Sequence, residues 1–273
     1  MIPESNQRPA PFHLSDPAVL SSVLQAAKLF LFLDLDGTLV PIAPTPAEAS
    51  LSRERRRCLE ELAARPDIMV AIVTGRRLEE AQQLVGVPKI FYVGLHGLEI
   101  ITVHGEKMSY PVGQEVIDSL RSLRESFAAP VSGIPGMFFE DKGLSLALHF
   151  RLAAPEQARE ASRGFVHAAN SYREKGIPWE ILEGKEVIEI KPMGRNKGNA
   201  VADLLGRYGQ GTVPIYLGDD VTDEAAFASL KPRGITILVS EAPRPTSADY
   251  YLRSSDEVYG FLKDLILLRA KKP

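Results

Sequence analysis

Two aspartates, one residue apart, stand at the end of an apolar run in Leu31-Phe32-Leu33-Asp34-Leu35-Asp36-Gly37-Thr38-Leu39. Such a run, bounded by a glycine turn, reads as a buried strand. Carboxylates delivered to its end repel one another and resist desolvation unless positive charge compensates them. A divalent cation answers that need, because hard ions take oxygen ligands. The strand ends of parallel α/β sheets are also where ligands bind. A capped strand end followed by a turn fits the same residues, so the pair is weighed by its company. An EF-hand loop is excluded, since Val40, Pro41 and Ile42 fill the middle of the stretch where such a loop needs oxygen ligands.

Three more polar clusters accompany it. Val70-Ala71-Ile72-Val73 ends in Thr74-Gly75-Arg76, whose hydroxyl and following backbone N–H groups can hold an anion. Asn196-Lys197-Gly198 opens a helical stretch with a cation at the end where the dipole disfavours one. Ile215-Tyr216-Leu217-Gly218 ends in Asp219-Asp220-Val221-Thr222-Asp223-Glu224, more acid than one helix cap requires. Singly, these are a helix cap, a solvated lysine and an acidic first turn. Together they supply two acidic clusters for a cation, with one hydroxyl and one lysine for an anion. A phosphoryl group clamped between Mg²⁺ and a lysine needs that inventory.

The elements that must position these clusters alternate. Lys28 to Asp34 reads as strand, Ser52 to Arg65 as helix capped by Ser52, Ile68 to Val73 as strand, Leu78 to Val85 as helix and Ile90 to Val93 as strand. That rhythm argues βαβ units and a parallel sheet, an α/β fold. Leu98–Val103 and Lys107–Tyr110 read as a hairpin. After Pro111 the rhythm changes to helix (114–127), hairpin (Met137–Glu140 with Leu144–Phe150), helix (155–174), hairpin (Trp179–Leu182 with Val187–Ile190). This is an α+β pattern. The alternation returns with a helix to Arg207, strand Val213–Leu217, helix Thr222–Ser229, strand Ile235–Val239 and a last helix near 255–269. The expected organisation is an arm over residues 1–20, a core of 21–111 with 191–273, and an inserted module of 112–190.

Composition narrows the function classes. The chain has 273 residues, 45% hydrophobic and 25% charged, as in ordinary globular proteins. A net charge of −3, with no basic or aromatic patch, gives no reason to expect nucleic acid or an acidic membrane as partner. Cys58 is the only cysteine, so no internal disulfide forms, and its helical setting reads as structural. With no apolar run of bilayer length and no leader segment, the expectation is a cytoplasmic monomer acting on a small molecule.

The motifs Asp34-Leu35-Asp36-Gly37-Thr38, Thr74-Gly75-Arg76, Lys197 and Gly218-Asp219-Asp220 resemble the four signatures of the haloacid dehalogenase superfamily. Within it, Gly94-Leu95-His96-Gly97-Leu98-Glu99, Lys191-Pro192 with Asn196-Lys197-Gly198, and Gly218-Asp219-Asp220-Val221-Thr222-Asp223-Glu224 resemble trehalose-6-phosphate phosphatases. Thr74, where that family often has serine, and Lys191, where arginine is common, are departures. The resemblance implies a Rossmann-like parallel-sheet core with an inserted α+β cap domain, and hydrolysis of trehalose 6-phosphate.

It also implies roles. Asp34 would attack phosphorus and form an aspartyl-phosphate. Asp36 would act as acid, then base, which calls for a carboxyl that holds its proton more tightly than that of Asp34. Mg²⁺ would be held by Asp34, the Asp36 backbone carbonyl and Asp219, with Asp220 and Asp223 in support. Thr74 and Lys197 would bind phosphoryl oxygens, and Thr38 would position Asp36. From the cap, Lys142, His149, Arg151, Glu183, Lys185 and Glu189 would reach the sugar, joined from the core by His96 and Glu99. The alternatives are a phosphatase for sucrose phosphate or glucosylglycerol phosphate, a phosphomannomutase-like phosphotransferase, and a catalytically silent sugar-phosphate-binding regulator.

Overall fold

The computed structural model describes residues 12–14 and 26–270. Along the chain run strands β1 (Phe12–His13) and β2 (Lys28–Leu33), helix α1 (Arg53–Ala63), β3 (Ile68–Val73), α2 (Leu78–Val85), β4 (Phe91–Gly94), β5 (Glu99–Ile101) and β6 (Lys107–Ser109). Then come α3 (Gln114–Ser132), β7 (Phe138–Asp141), β8 (Leu146–His149), α4 (Pro155–Glu174), β9 (Trp179–Gly184) and β10 (Val187–Pro192). Last are α5 (Lys197–Tyr208), β11 (Thr212–Gly218), α6 (Glu224–Leu230), β12 (Ile235–Val239), β13 (Tyr250–Leu252) and α7 (Ser255–Ala270). The chain divides into two compact units. One joins the residues up to Ser109 to those from Asn196 onward, and the other is Tyr110–Arg195.

The first unit is built on a sheet ordered β1-β13-β12-β11-β2-β3-β4-β5-β6 among the described residues, parallel except for the pairs β4–β5 and β5–β6. β2 is apolar at nearly every position because helices cover both faces of a parallel sheet. Leu29, Leu31 and Leu33 pack with Leu59 and Leu62 of α1, Leu78 and Ala81 of α2, and Leu265 of α7. Phe30 and Phe32 pack on the opposite face with Val201 and Leu204 of α5 and Phe227 of α6. The period of two along a strand divides the side chains between these two layers. Ser52 caps α1, its side chain accepting the Arg55 N–H at 3.3 Å.

Register positions the chemistry. β2 lies between β11 and β3, with Leu33 opposite both Leu217 and Ile72. The carboxyl ends of three parallel strands therefore meet, and Asp34, Thr74 and Asp219 follow them directly.

The second unit has an antiparallel sheet ordered β7-β8-β10-β9. One face buries Leu146, Leu148, Trp179, Ile188 and Ile190 against Leu120 and Leu123 of α3 and Phe165 of α4. The Trp179 indole N–H donates to the Ala169 carbonyl at 3.1 Å, giving that buried dipole its partner.

Three expectations need adjustment. The helix expected over 114–127 runs on to Ser132, Pro130 falling in its last turn. The helix expected from Thr222 begins instead with a 3₁₀ turn, Val221–Asp223, ahead of α6. The arm expected over residues 1–20 is described only at 12–14, where Phe12–His13 adds a parallel edge strand beside β13; the rest lies outside the described residues. Among the described residues no helix is both long and apolar enough to cross a membrane.

Candidate active site

Asp34 leaves β2 with its backbone tied to the sheet, its N–H donating to the Leu217 carbonyl at 2.9 Å. Its carboxylate is buried. Lys197, on the first turn of α5, reaches it from across the site: Nζ lies 2.7 Å from Asp34 Oδ1 and 2.7 Å from Asp223 Oδ1. The lysine sits at the helix start because Asn196 caps α5, exchanging hydrogen bonds with Asn199 in a capping box. Asp223 is held from three sides. Its Oδ1 also accepts the Tyr216 hydroxyl at 2.7 Å, and its Oδ2 accepts the Asp220 N–H at 3.0 Å.

Oxygens of Asp34, Asp219 and Asp223 lie within 4.8 Å of one another, all three residues buried. Three buried carboxylates against one ammonium leave two negative charges, and burying those is costly. Burial pushes Asp34 well above the usual carboxylate range, Asp223 and Asp219 add to the rise, and Lys197 opposes it. For Lys197, burial pulls downward, but Asp223 and Asp34 outweigh it and hold the ammonium raised. Tyr216 is raised for the same reasons, burial first and the Asp223 charge second. The protein groups alone thus leave Asp34 raised. A divalent cation fits the deficit in charge and the all-oxygen donor set. Space is kept for that cluster at Gly37 (φ 84°), where a Cβ would run into the Asp219 carboxylate.

Thr74 follows β3, and its Oγ accepts the Arg76 N–H at 3.2 Å. The Thr74 and Arg76 carbonyls accept the N–H groups of His96 and Leu95 at 3.0 and 2.9 Å. The Gly94–Gly97 turn is therefore bolted to this loop. Buried His96 lies over Gly75, where a Cβ would come within 2.5 Å of its Nε2. Glu99 is paired with Lys107 at 2.9 Å.

Thr38 does not position Asp36 as expected. Its hydroxyl is buried and forms no hydrogen bond among the described residues. Arg76 takes that place. Its Nε and Nη2 each lie 2.7 Å from an Asp36 oxygen, and its Nη1 donates to the Pro46 carbonyl at 2.9 Å. Tyr216 does not stand out from sequence alone, lying inside an apolar run. Arg76 was visible within a motif, but its partner lies 40 positions away.

In the second unit, one sheet face gathers polar groups. Lys142 Nζ meets Glu189 at 3.1 Å, and the Ser145 hydroxyl donates to the other Glu189 oxygen at 2.6 Å. His149 hydrogen-bonds Glu140 at 2.7 Å and stacks on Phe138. Lys191 pairs with Glu180. Arg151 pairs with Glu186 and donates to the Lys185 carbonyl at 2.6 Å. Glu183 stands apart. Opposite Ile188 in the register, it shares the α4 side with Trp179 and Ile181 and lines a groove of about 670 Å³ with Arg163 and Val166 of that helix.

Residues 32–256 match the family described as trehalose-phosphatase. Trehalose-phosphate phosphatase B of Arabidopsis thaliana is 30% identical over 271 residues, covering 93% of this chain and 71% of that protein. The C-terminal domain of a trehalose-6-phosphate phosphatase from C. albicans shares the fold, with a TM-score of 0.82, 24% identity, and coverage of 95% of this chain and 98% of that one. A solved trehalose-6-phosphate phosphatase related protein superposes with a TM-score of 0.76 and 27% identity, over 89% of this chain and all (100%) of that one. The chain belongs to the trehalose-phosphatase family, within the haloacid dehalogenase superfamily.

Proposed function

We propose that this protein hydrolyses trehalose 6-phosphate to trehalose and phosphate through an aspartyl-phosphate on Asp34. The observation that carries the reading is the 2.7 Å approach of Lys197 to Asp34 beside Asp219 and Asp223. It combines a nucleophile, an anion-binding cation and a cation-binding acid cluster at one set of strand ends. In the first step an Asp34 oxygen bonds to phosphorus while the bond to the sugar oxygen breaks, and Asp36 gives that oxygen its proton. In the second, water bonds to phosphorus, Asp34 recovers its electron pair and Asp36 takes the water's proton. Lys197 and Thr74 hold equatorial phosphoryl oxygens, where charge accumulates. Asp34, Asp219 and the Asp36 carbonyl would hold Mg²⁺, and Asp220 and Asp223 support them. The ion, when bound, neutralises charge on the transferring group. From the second unit, Lys142, His149, Arg151, Lys185 and Glu189 offer charged hydrogen-bond partners for sugar hydroxyls. His96 and Glu99 add to these from the first.

A panel of sugar phosphates assayed for released phosphate, in chelator and then with Mg²⁺ restored, tests the reading. Release from trehalose 6-phosphate that requires Mg²⁺ is expected, with Asp34→Asn losing at least about 10³-fold in kcat. Turnover that survives in Asp34→Asn would defeat the covalent route. Activity on other sugars with none on trehalose 6-phosphate would defeat the substrate.

A further inference from the structure

We propose that Arg76 is the positioning residue for Asp36, holding the carboxylate in the one orientation that serves both proton transfers. The inference rests on the acid–base role given to Asp36 above. The guanidinium grips the Asp36 carboxylate with a two-pronged fork, both bonds 2.7 Å, and fixes its own end to the Pro46 carbonyl. Its main chain is equally constrained, its N–H on the Thr74 hydroxyl and its carbonyl on the Leu95 N–H. The side chain of Arg76 is nearly buried, with 11% exposure, while that of Asp36 is open at 36%. The acid–base residue is thus the exposed partner of a fixed, buried one. The arginine fork is matched to a carboxylate in a way that an ammonium is not.

The grip is compatible with proton transfer. A carboxylate has about four lone-pair sites, and the fork uses one on each oxygen. The other on each oxygen remains open, to carry the proton that goes to the leaving sugar oxygen and then to take one from water. Because acid and base duty fall on one group in succession, its oxygen must be found in the same place twice. A displacement of about 1 Å in such a group costs on the order of 10²-fold in rate. The chain of support runs from the Gly94–Gly97 turn to the Arg76 backbone, then to the guanidinium and to Asp36.

The test uses leaving groups. Alcohol release in a single turnover is compared for trehalose 6-phosphate, whose alkoxide needs a proton, and p-nitrophenyl phosphate, whose phenolate does not. Arg76→Gln and Arg76→Lys should each slow release of trehalose roughly 10²-fold and release of p-nitrophenolate less than about tenfold. Asp36→Asn should show the same contrast, and adding Arg76→Gln to it should cost little more. Equal losses on both substrates in the Arg76 variants, or full additivity in the double variant, would overturn the inference, the ion pair then being a latch for the fold. If Asp36→Asn itself slows both substrates alike, the acid role fails and the inference falls with it. If Asp36→Asn shows the contrast and the Arg76 variants do not, only the inference falls.

Discussion

Lys197 bridges the buried carboxylates of Asp34 and Asp223, and Tyr216 is a second side-chain donor on Asp223. Its hydroxyl donates to the Asp223 oxygen that also receives Lys197, so it absorbs part of the charge on that acid. Tyr216→Phe should lower kcat by about tenfold, the usual scale for groups that orient a site's ligands. It should also cost about 2 kcal/mol of stability, since the lost bond is to a charged acceptor. Steady-state kinetics and urea unfolding of the variant check both. At this scale the residues that the fold gathers were legible where a motif meets a strand end, as at Asp34, Thr74 and Asp219, or a helix start, as at Lys197. Tyr216 was hidden because a tyrosine inside an apolar run reads as core. The Thr38 role came from the resemblance alone, its hydroxyl makes no hydrogen bond among the described residues, and the sequence does not reveal that Arg76 reaches Asp36. Glu183 could have been separated from Glu189 by alternation alone, since it follows Trp179 and Ile181 at the same period.

Among the elements, the Gly94–Gly97 turn is the costliest. Leu95 and His96 both take left-handed φ values, 49° and 55°, which non-glycine residues adopt at a cost of order 1–3 kcal/mol each. That strain is offset by two hydrogen bonds to the Thr74 and Arg76 carbonyls and by the fit of His96 over Gly75. Gly75→Ala should therefore reduce kcat by roughly 10²-fold through displacement of the loop, and His96→Ala in the same chain should restore part of it on p-nitrophenyl phosphate, which offers His96 no sugar. A double-variant kinetic comparison decides, and no restoration would mean that the ring is not the obstacle. In the second sheet, burial pushes Glu140 up, but the His149 hydrogen bond and the Lys142 charge more than reverse it, so its carboxyl is lowered. A group lowered on folding contributes stability above its unfolded value, about 4.3, and loses it as pH falls through the folded value. Glu140→Gln should thus destabilise at neutral pH, and the gap from the parent protein should close in strong acid, as read by thermal melting across pH. Most elements were legible because runs covered on both faces lack polar interruptions. β13 was not, being three residues of which Tyr250 and Tyr251 are half-buried, after a Pro- and Ser-rich stretch.

For the whole molecule, sequence economy supplies two separate reporters. The only cysteine, Cys58, is buried in the first unit, where burial and then the Glu61 charge push its thiol up to about 11. The only tryptophan, Trp179, is buried in the second. Native Cys58 should resist a thiol reagent at pH 8, because the thiolate is the reactive form. In urea, Trp179 emission should change at a lower midpoint than Cys58 becomes reactive, since the smaller unit buries a smaller share of its surface. Coincident midpoints would show the two units melting as one. The change after Pro111 from alternating strands and helices to helix–hairpin pairs lies near Tyr110, where the second unit begins.

Asp34 and Lys197 are separated by 163 positions, with the whole of Tyr110–Arg195 between them. On a ribosome, the strand bearing Asp34 is therefore made long before its ammonium partner and before β11, which lies beside it. Until those later residues emerge, a hydrophobic central strand waits with one long edge unpaired and an acid at its tip. The acid at that tip meets its ammonium only after the second unit has been made in full.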